Sequence, residues 1–510
     1  MVDGLQRNPD GRLVFWSQSR PAEITLKDLD RRGAEVAEAL TARGLRQGDV
    51  IVVQLPNWVE GALVWYAANL LGLVTVPVVH IYGAAELEYI VRDAGAKALF
   101  LPDRWRSIDY LDRLRLMGDV EGLDLVVVVG DDVPAGAVPW TELVEGPRAA
   151  YPPSSASTED PCIILYTSGT TSDPKGVAHS HDSLLSEMFT VHRFFGEQRE
   201  VYFNPSPAGH ITGLLGVTRP FLLSSPLSVF MDAWDARVGV ELVNEYRATA
   251  VGSAPFFLST LLDAAEAMAE EVPSMQRWML GGAGVPAALV ERADAAGIAG
   301  YRCYGSTEHP TVTSGLPSDS LDIRARTDGR PILGSEVRIV DDDGRDVPTG
   351  EEGEIVTIGP DQMIRYTDPV KDAESFLPDG WFLTGDVGVL DEAGCMTVTD
   401  RKKDIIIRGG ENLSSQEIES VLSRHPLVVE AAAVAMPDER YGERVCAFVM
   451  LREGGALSLD DVREHFVAAG VARHKTPERV EVVADLPRTP SGKVRKGPLR
   501  DQLREEADSS

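Results

Sequence analysis

The stretch CIILYTSGTTSDPKG, residues 162–176, decides the fold class of this chain. Its first five residues are apolar or aromatic without polar alternation, which is typical of a strand buried on both faces of a parallel sheet. The next residues are rich in Ser, Thr and Gly, so we expect the strand to end at Tyr166 and a loop to follow. In α/β folds such a loop lies at the carboxyl edge of the sheet, where ligands bind.

The loop after Tyr166 carries groups that suit phosphate oxygens. Hydroxyl side chains occupy five of the six positions 167–172, Gly169 and Gly176 let the backbone turn, and Lys175 adds a positive charge. Composition alone also fits an ordinary surface loop. The spacing excludes a Walker P-loop, because six residues separate the two glycines and the lysine precedes the second one.

Working outward from this stretch, apolar runs alternate with helical spacing through most of the chain. We predict helices over 26–43 and 59–71. Predicted buried strands lie at 49–53, 74–79, 98–101 and 125–129. A connector over 151–160 separates them from a second α/β unit that reaches about Tyr304. The alternation predicts two doubly wound α/β units.

The remainder of the chain has a different pattern. Strands separated by turns predict a small β-rich section at 332–340, 353–358, 384–390 and 395–399. After Asp404, Ser414 or Ser415 is predicted to cap a helix that ends before Pro426, and a second helix is predicted over 458–469. Further strands are predicted at 428–436, 445–451 and 479–483. These elements predict a small final unit of mixed helices and strands.

The composition excludes several classes of function. The 510 residues carry a formal net charge of −30, which repels nucleic acid and anionic lipid surfaces. A nucleotide site in such a chain therefore needs local donors and cations. The four cysteines have no metal-site spacing and are expected to be free thiols. We see no apolar signal segment or membrane span, and we expect a cytoplasmic protein without nucleic-acid or integral-membrane partners.

Six motifs in order along the chain carry a family resemblance. They are YTSGTTSDPKG at 166–176, GGAG at 281–284, YGSTE at 304–308, GWFLTGD at 380–386, DRKKD at 400–404 with GGEN at 409–412, and PSGK at 490–493. Together they resemble the signatures of the adenylate-forming superfamily of AMP-binding acyl-CoA synthetases. The superfamily contains acyl- and aryl-CoA ligases, peptide-synthetase adenylation domains and firefly-type luciferases. The resemblance covers nearly the whole chain, and Ser172 departs from the usual glycine.

The resemblance implies a large N-terminal domain, residues 1–402, and a small mobile α+β domain, residues 403–510, with the catalytic lysine. The large domain would contain two doubly wound α/β subdomains and a small β-rich subdomain. The implied reaction joins a carboxylate to ATP as an acyl-adenylate, releases pyrophosphate, and passes the acyl group to CoA. ATP, Mg²⁺ and CoA are the implied small molecules. The oligomeric state is open, with a homodimer as one option.

The resemblance also assigns roles to individual residues. Lys175 would hold the outer phosphates, Glu308 would bind Mg²⁺, and Thr307 would contact the α-phosphate. Tyr304 would stack on adenine, while Asp386 and Arg401 would bind the ribose. The full ATP-binding set comprises Thr167, Ser168, Gly169, Thr170, Thr171, Lys175, Gly282, Ala283, Tyr304, Gly305, Ser306, Thr307, Asp386, Arg401 and Lys493.

Lys493 is the residue expected to bridge the attacking carboxylate and the α-phosphate, with Thr307, Glu308 and His210 as the other catalytic candidates. Residues 488–504 contain six cations and one acid, a basic segment that fits an anion site in an acidic chain. A solvated helix face also explains Arg500 and Arg504, but it does not explain Lys493 in its Pro-Ser-Gly turn. Lys403 is the implied hinge for rotation of the small domain between the two steps. After that rotation, the CoA-binding candidates Gly409 and Gly410 would face CoA.

His210 and Gly282 are the implied acyl-pocket residues, and the residues around His210 include no acid that would pair with an amino group. This favours an apolar fatty, alicyclic or aryl acid as the substrate. An amino-acid substrate stays open as an alternative, because Asp232 and Asp235 are close enough in sequence to pair with its amino group. Three other functions stay open: a ligase that loads a carrier-protein phosphopantetheine, a luciferase-like oxygenase, and a non-catalytic binding protein on the same fold. Retention of the candidate catalytic residues disfavours the last.

Overall fold

The structure is a computed structural model, and it describes residues 8–152, 154–167, 174–195, 200–222, 225–408, 411–438, 441–452, 454–469, 471–489 and 492–508. Two large, mostly parallel sheets form most of it, and two smaller sheets follow along the chain. None of the described helices is long and apolar enough to cross a bilayer. The four cysteines are free, as expected from their spacing.

The opening stretch lies in an eight-stranded sheet. Its strands, in spatial order, are Arg365–Tyr366, Lys175–Ser180, Pro161–Thr167, Val74–Pro77, Val50–Val53, Ala98–Pro102, Leu125–Val129 and Val138–Pro139. The six strands from Pro161–Thr167 to Val138–Pro139 are parallel. Lys175–Ser180 returns antiparallel to Pro161–Thr167, so the predicted loop connects two neighbouring strands at the end of a hairpin. Its residues 168–173 lie outside the described part.

A nine-stranded sheet forms the second α/β unit. Its strands, in spatial order, are Arg330–Pro331, Thr313–Ser314, Ala299–Tyr304, Arg277–Leu280, Ala250–Ser253, Val201–Asn204, Leu227–Met231, Arg12–Trp16 and Ala22–Thr25. The six from Ala299–Tyr304 to Arg12–Trp16 are parallel. The N-terminal hairpin therefore belongs to this later sheet, because Arg12 to Trp16 pair with Leu227 to Met231. The sequence pattern did not indicate that pairing.

Helices cover the two large sheets. They are Leu26–Ala42, Val59–Leu71, Ala84–Asp93, Tyr110–Met117, Trp140–Glu145, His181–Phe195, Ile211–Leu222, Ala236–Tyr246, Pro255–Met268, Ala287–Ala295 and Leu321–Arg326. A fully buried aromatic side chain, Tyr66, packs between Val59–Leu71 and Leu26–Ala42, since a Cβ on Gly33 would lie 2.4 Å from its ring. The strand-helix alternation read from the sequence is thus the framework of both units.

The β-rich unit is an antiparallel sheet of Glu336–Val340, Gly353–Ile358, Phe382–Leu390 and Met396–Arg401, with Pro369–Glu374 as a short helix beside it. A two-residue ribbon pairs Arg104–Trp105 with Ile108–Asp109. The strand predicted at 332–340 begins later, at Glu336. The strand predicted at 395–399 runs on to Arg401. The fold class predicted from the sequence is confirmed.

The final unit has its own sheet and its own apolar cores. The strands are Glu411–Leu413, Ile406–Arg408, Gly442–Leu451, Val428–Asp438 and Arg479–Val482. The helices are Ser415–Leu422, Leu459–Ala468 and Lys496–Asp508, with a 3₁₀ turn at Arg473–Lys475. Ser414 caps the first helix and Ser458 the second, as their hydroxyls accept from Glu417 N and Asp461 N. Both cores use residues 406–503 alone.

Candidate active site

One cleft of about 2150 Å³ brings together the sequence-predicted site residues that the structure describes. Residues of the two large sheets, the β-rich unit and the final unit form its walls. The residues it gathers are Thr167, Lys175, His210, Gly282, Ala283, Tyr304, Gly305, Ser306, Thr307, Glu308, Asp386, Arg401, Lys403 and Lys493. The candidates Ser168, Gly169, Thr170, Thr171, Gly409 and Gly410 lie outside the described residues.

The hairpin of the opening stretch places Lys175 at the cleft. Thr167 and Lys175 are register partners at the open end of the hairpin. The ammonium of Lys175 lies 5.5 Å from the ring centroid of Tyr366, which pairs with Val177 on the neighbouring strand. The hydroxyl of Tyr366 donates to Glu308 Oε1 at 2.6 Å. One aromatic side chain therefore connects the lysine and the carboxylate.

A tight turn after the strand Ala299–Tyr304 presents Thr307 and Glu308. Residue 305 has to be a glycine because the backbone of Pro310 approaches it closely. A Cβ there would lie 1.9 Å from the carbonyl oxygen of Pro310. Ser306 Oγ accepts from the backbone N of Glu308 at 3.1 Å and of His309 at 3.2 Å, which holds the turn.

The buried carboxylate of Asp386 accepts hydrogen bonds from two neighbouring side chains. Its register partner across the antiparallel pair is Arg401, whose Nε donates to Oδ1 at 2.8 Å. The Tyr304 hydroxyl donates to Oδ2 at 2.8 Å. Burial and this carboxylate raise the pKa of Tyr304 well above its usual value. Each carboxylate oxygen can accept a second donor, so Asp386 can still bind hydroxyl groups of a ligand.

The segment with Gly282 and Ala283 forms another wall of the cleft. Gly282 has a φ of +75°, in the left-handed region that favours glycine. A Cβ on Gly281 would lie 2.5 Å from Cys303 Sγ, so this segment packs tightly on the strand before the Thr307 turn. A Cβ on Gly284 would lie 3.1 Å from Gln416 Nε2, and the final unit therefore abuts this wall.

Lys493 enters the same cleft from the final unit. Its turn is closed by Thr489, whose N donates to the Lys493 carbonyl at 2.7 Å and whose Oγ1 accepts from Lys493 N at 3.1 Å. Burial, and then the nearby Arg401 cation, lower the pKa of the Lys493 ammonium to about 7, although the Asp386 carboxylate opposes this. A lysine from the final unit thus shares its surroundings with the Asp386–Arg401 pair.

Comparison with known proteins assigns the chain to a family. The sequence profile of the AMP-binding enzyme family matches residues 3–367, and that of the AMP-binding enzyme C-terminal domain matches residues 417–493. The chain belongs to the AMP-binding enzyme family. It is 34% identical over 488 residues to the medium-chain fatty-acid–CoA ligase of Escherichia coli K12, covering 94% of this chain and 86% of that protein.

This AMP-binding enzyme is also similar to a second curated protein in sequence and to a solved structure in fold. It is 32% identical to the fatty acid–[acyl-carrier-protein] ligase ScoC of Streptomyces coeruleorubidus over 94% of this chain and 92% of that protein. The crystal structure of the anthranilate CoA ligase AuaEII in complex with anthranoyl-AMP superposes with a TM-score of 0.88 and 25% identity. That comparison covers 99% of this chain and 98% of AuaEII.

The basic segment of this AMP-binding enzyme is largely neutralised. Arg488 pairs with Glu430, Lys496 with Glu419 at 2.7 Å, and Arg500 with Asp404 at 2.7 Å. Arg504 approaches Asp501 at 3.7 Å. Of the segment's six cations, Arg500 and Arg504 already had a solvated helix face as their interpretation from the sequence. Four of them pair with acids, which are mostly distant in sequence, and the candidate anion contacts narrow to Lys493 and Arg495.

His210 lies directly before the helix Ile211–Leu222. A Cβ on the preceding Gly209 would lie 2.6 Å from Val79 N, so the segment is held against the first large sheet. Burial lowers the pKa of His210 to about 4, and that of His80 to about 4 with the His210 ring as a further cause. Within the described chain His210 Nε2 has no hydrogen-bond partner. The imidazole is therefore neutral at physiological pH.

The structure adds residues that the sequence reasoning missed. Tyr366 is one, and a buried network behind the Thr307 turn is another. His309 contacts Thr357 Oγ1 at 2.9 Å and Asp361 Oδ1 at 3.1 Å, and Thr311 donates to Glu187 at 2.6 Å. Burial, and then the Asp361 carboxylate, raise the pKa of Glu187 well above its usual value. No sequence motif contains these positions, because their contacts span 48 to 124 residues.

Proposed function

We propose that this chain is an ATP-dependent carboxylate–CoA ligase. In the first step a carboxylate oxygen attacks the α-phosphorus of ATP, the bond to the bridging oxygen of the β-phosphate breaks, and pyrophosphate leaves. In the second step the CoA thiol loses its proton and attacks the acyl carbon, and AMP leaves. The apolar walls of the cleft and the names of the relatives support a fatty, alicyclic or aryl acid.

The observation that carries this proposal is the meeting of Lys493 with Asp386 and Arg401 in one cleft. Two anionic reactants have to be neutralised and aligned, and preorganised charges do this most effectively. Lys493 stabilises the charge that develops between the carboxylate and the α-phosphate. Asp386 and Arg401 bind the ribose, and the ring of Tyr304 contacts adenine beside Gly282 and Ala283.

The phosphate end of the nucleotide is held on the other side of the cleft. Lys175 and Thr167, with the loop residues 168–171, bind the outer phosphates, and Thr307 contacts the α-phosphate. Gly305 and Ser306 set the direction of that contact, since the first permits the turn and the second closes it.

Glu308 is the proposed Mg²⁺ ligand. Its carboxylate lies at the cleft, and the Tyr366 hydroxyl orients it. The described residues contain no cluster of three or more His, Cys, Asp or Glu that could hold a metal ion. A single carboxylate at the cleft fits Mg²⁺, which usually takes one or two carboxylates and completes its shell with phosphates and water. When bound, the ion neutralises phosphate charge.

The second step requires Lys493 to leave and the thiol to enter. We propose that residues 403–510 rotate against residues 1–402 about Lys403, and that Gly409 and Gly410 then face CoA. Arg500 Nη1 donates to the carbonyl oxygen of Lys403 at 3.0 Å, so residue 403 is bonded to the final unit at the boundary of the proposed rotation. His210 and Gly282 line the acyl end of the cleft. His210 stays a catalytic candidate, acting as a neutral imidazole.

A carrier-protein phosphopantetheine is the second candidate acceptor, since the relative ScoC carries that activity in its name. A non-catalytic binding protein fits poorly, because Lys175, Glu308 and Lys493 all line one cleft. The formal net charge of −30 supports the absence of a nucleic-acid partner. Cytoplasmic location completes the proposal, and the oligomeric state stays open, with a homodimer as one option.

The test separates the two steps with a panel of carboxylic acids. We expect acid-dependent pyrophosphate exchange in the wild type and a loss of about 10²–10³-fold or more in Lys493→Ala. Lys97→Ala is the matched control, because Lys97 is exposed and pairs with Asp49 outside the cleft. AMP release that needs CoA supports the ligase, and release that needs a carrier protein instead supports the alternative. Wild-type exchange in Lys493→Ala contradicts the mechanism.

A further inference from the structure

A charged cluster of Glu200, Arg219 and Arg277, named here the distal cluster, is buried beside the acyl end of the cleft. The Nη2 atoms of Arg219 and Arg277 each contact one oxygen of the Glu200 carboxylate. Glu200 is buried, and each arginine side chain is 11% exposed. Two guanidinium groups share one carboxylate, and its two oxygens cannot accept from all of their N–H donors. Because a buried donor is costly unless it is paired, this cluster favours a further acceptor.

Arg219 is the member of the distal cluster that reaches the cleft. It lies in the helix Ile211–Leu222, where Ile211, Leu215 and Arg219 recur every four residues and all line the cleft. At about 1.5 Å per residue, Arg219 starts about 12 Å further along the helix than Ile211. An acyl chain that extends from His210 along this helix face has its far end at Arg219.

One N–H donor of the Arg219 guanidinium group, at Nε, is unpaired in the described part of the chain. Its carbon Cζ lies 4.8 Å from the ring centroid of Tyr202, which also lines the cleft. Nη2 contacts Glu200, but the buried Nε has no hydrogen-bond partner in the described part of the chain. A guanidinium group presents its donors in a planar fork that suits carboxylate oxygens. An oxygen of a bound molecule would complete these contacts.

We propose that the distal cluster recognises the end of the substrate that is not activated, and that the acid carries an accepting oxygen there. This inference rests on the proposed function and specifies its substrate class: an apolar body with a carboxyl group at one end and a carboxylate, oxo or hydroxyl oxygen at the other. A second carboxylate fits best, because its two oxygens match the planar fork of donors on a guanidinium group. A purely apolar tail leaves Arg219 Nε buried without a partner, which is unfavourable.

The test compares acids of equal carbon number: the unsubstituted monocarboxylic acid, its ω-hydroxy derivative and the dicarboxylic acid, over a range of chain lengths. We measure kcat/KM for acid- and CoA-dependent AMP release. At the best length, we expect the wild type to prefer an oxygen-bearing acid by about tenfold or more, because polar sites discriminate strongly against analogues that lack the polar group. A larger factor for the dicarboxylic acid identifies the far group as an anion, and a larger factor for the ω-hydroxy acid identifies it as neutral.

Arg219→Met is expected to abolish this preference. Glu200 keeps Arg277 as its partner in this variant, and a ratio of two acids on one preparation does not depend on the folded fraction. Arg277→Met is the matched control, since Arg277 contacts the same carboxylate but is not among the described residues that line the cleft. It should keep the preference for the ω-hydroxy acid.

Two results overturn the inference: a wild-type preference for the unsubstituted acid at every length, or an equal preference in the wild type and Arg219→Met. An equal loss in Arg277→Met also overturns it, because the effect would then come from the cluster's packing. If no acid of any kind gives AMP with the wild type, the proposed function itself fails, and that outcome is distinct from the other three.

Discussion

At the scale of single residues, the Lys493 ammonium links the site to pH. Its pKa is lowered to about 7 by burial and by Arg401, so the free protein loses this charge as the pH rises through that value. The proposed chemistry needs the charged form. We therefore expect kcat/KM for acid-dependent pyrophosphate release to fall on the alkaline side with an apparent pKa of about 7, since kcat/KM reports groups of the free enzyme.

Lys493→Arg distinguishes this group from other titrating residues. A guanidinium group stays charged throughout the range, so the variant should lose the alkaline decline even where its absolute rate is lower. His210 does not interfere, because its pKa of about 4 lies well below the decline. A wild-type profile that stays flat up to about pH 9 would contradict the assignment.

At the scale of elements, the turn after Ala299–Tyr304 depends on a glycine. In Gly305→Ala the new Cβ would lie 1.9 Å from the Pro310 carbonyl oxygen, so the backbone that presents Thr307 and Glu308 has to move. We expect a destabilisation of about 1–3 kcal/mol, as for other overpacked sites, and a loss of pyrophosphate exchange. Apparent unfolding midpoints and exchange rates measure the two effects.

Gly61→Ala is the matched glycine substitution. Gly61 lies inside the helix Val59–Leu71, and a Cβ there would lie 3.9 Å from the nearest atoms, which is ordinary contact. Replacing a glycine within a helix by alanine should raise stability by about 0.5–1 kcal/mol and leave exchange unchanged. If both variants lose the same stability, the steric argument for Gly305 is wrong.

At the scale of the whole molecule, side-chain contacts lie on both sides of the proposed hinge at Lys403. Asp400 Oδ2 accepts from Ser415 N at 2.5 Å, and Arg500 binds Asp404 at 2.7 Å. Lys403→Pro restricts the backbone between these contacts. We expect this variant to retain pyrophosphate exchange but to lose CoA-dependent AMP release, because only the second step requires rotation.

Lys403→Ala removes the same side chain but leaves the backbone free, so it should keep both steps within about tenfold of each other. Single-turnover assays of acyl-adenylate formation and of its consumption by CoA measure the steps separately. An equal loss of both steps in Lys403→Pro would show that residue 403 acts on the structure of the site rather than as a hinge.

The sequence by itself determined the α/β alternation, the approximate bounds of the helices and strands that it predicted, a helix cap at Ser414 or Ser415, and the family through six ordered motifs. These features are local, because periodicity, capping and turn chemistry act over a few neighbouring residues. The roles that the resemblance gives to Lys493 and Glu308 stay predictions until the variants are measured.

Only the tertiary structure decided which distant residues meet. It joined Arg12–Trp16 to the later sheet, set Tyr366 between Lys175 and Glu308, paired most of the basic segment with acids, and buried Arg219 beside Glu200. Such contacts depend on strand order and packing between elements far apart in the chain. A single sequence holds no local signal for them, because the energy of a buried charge or hydrogen bond depends on its surroundings.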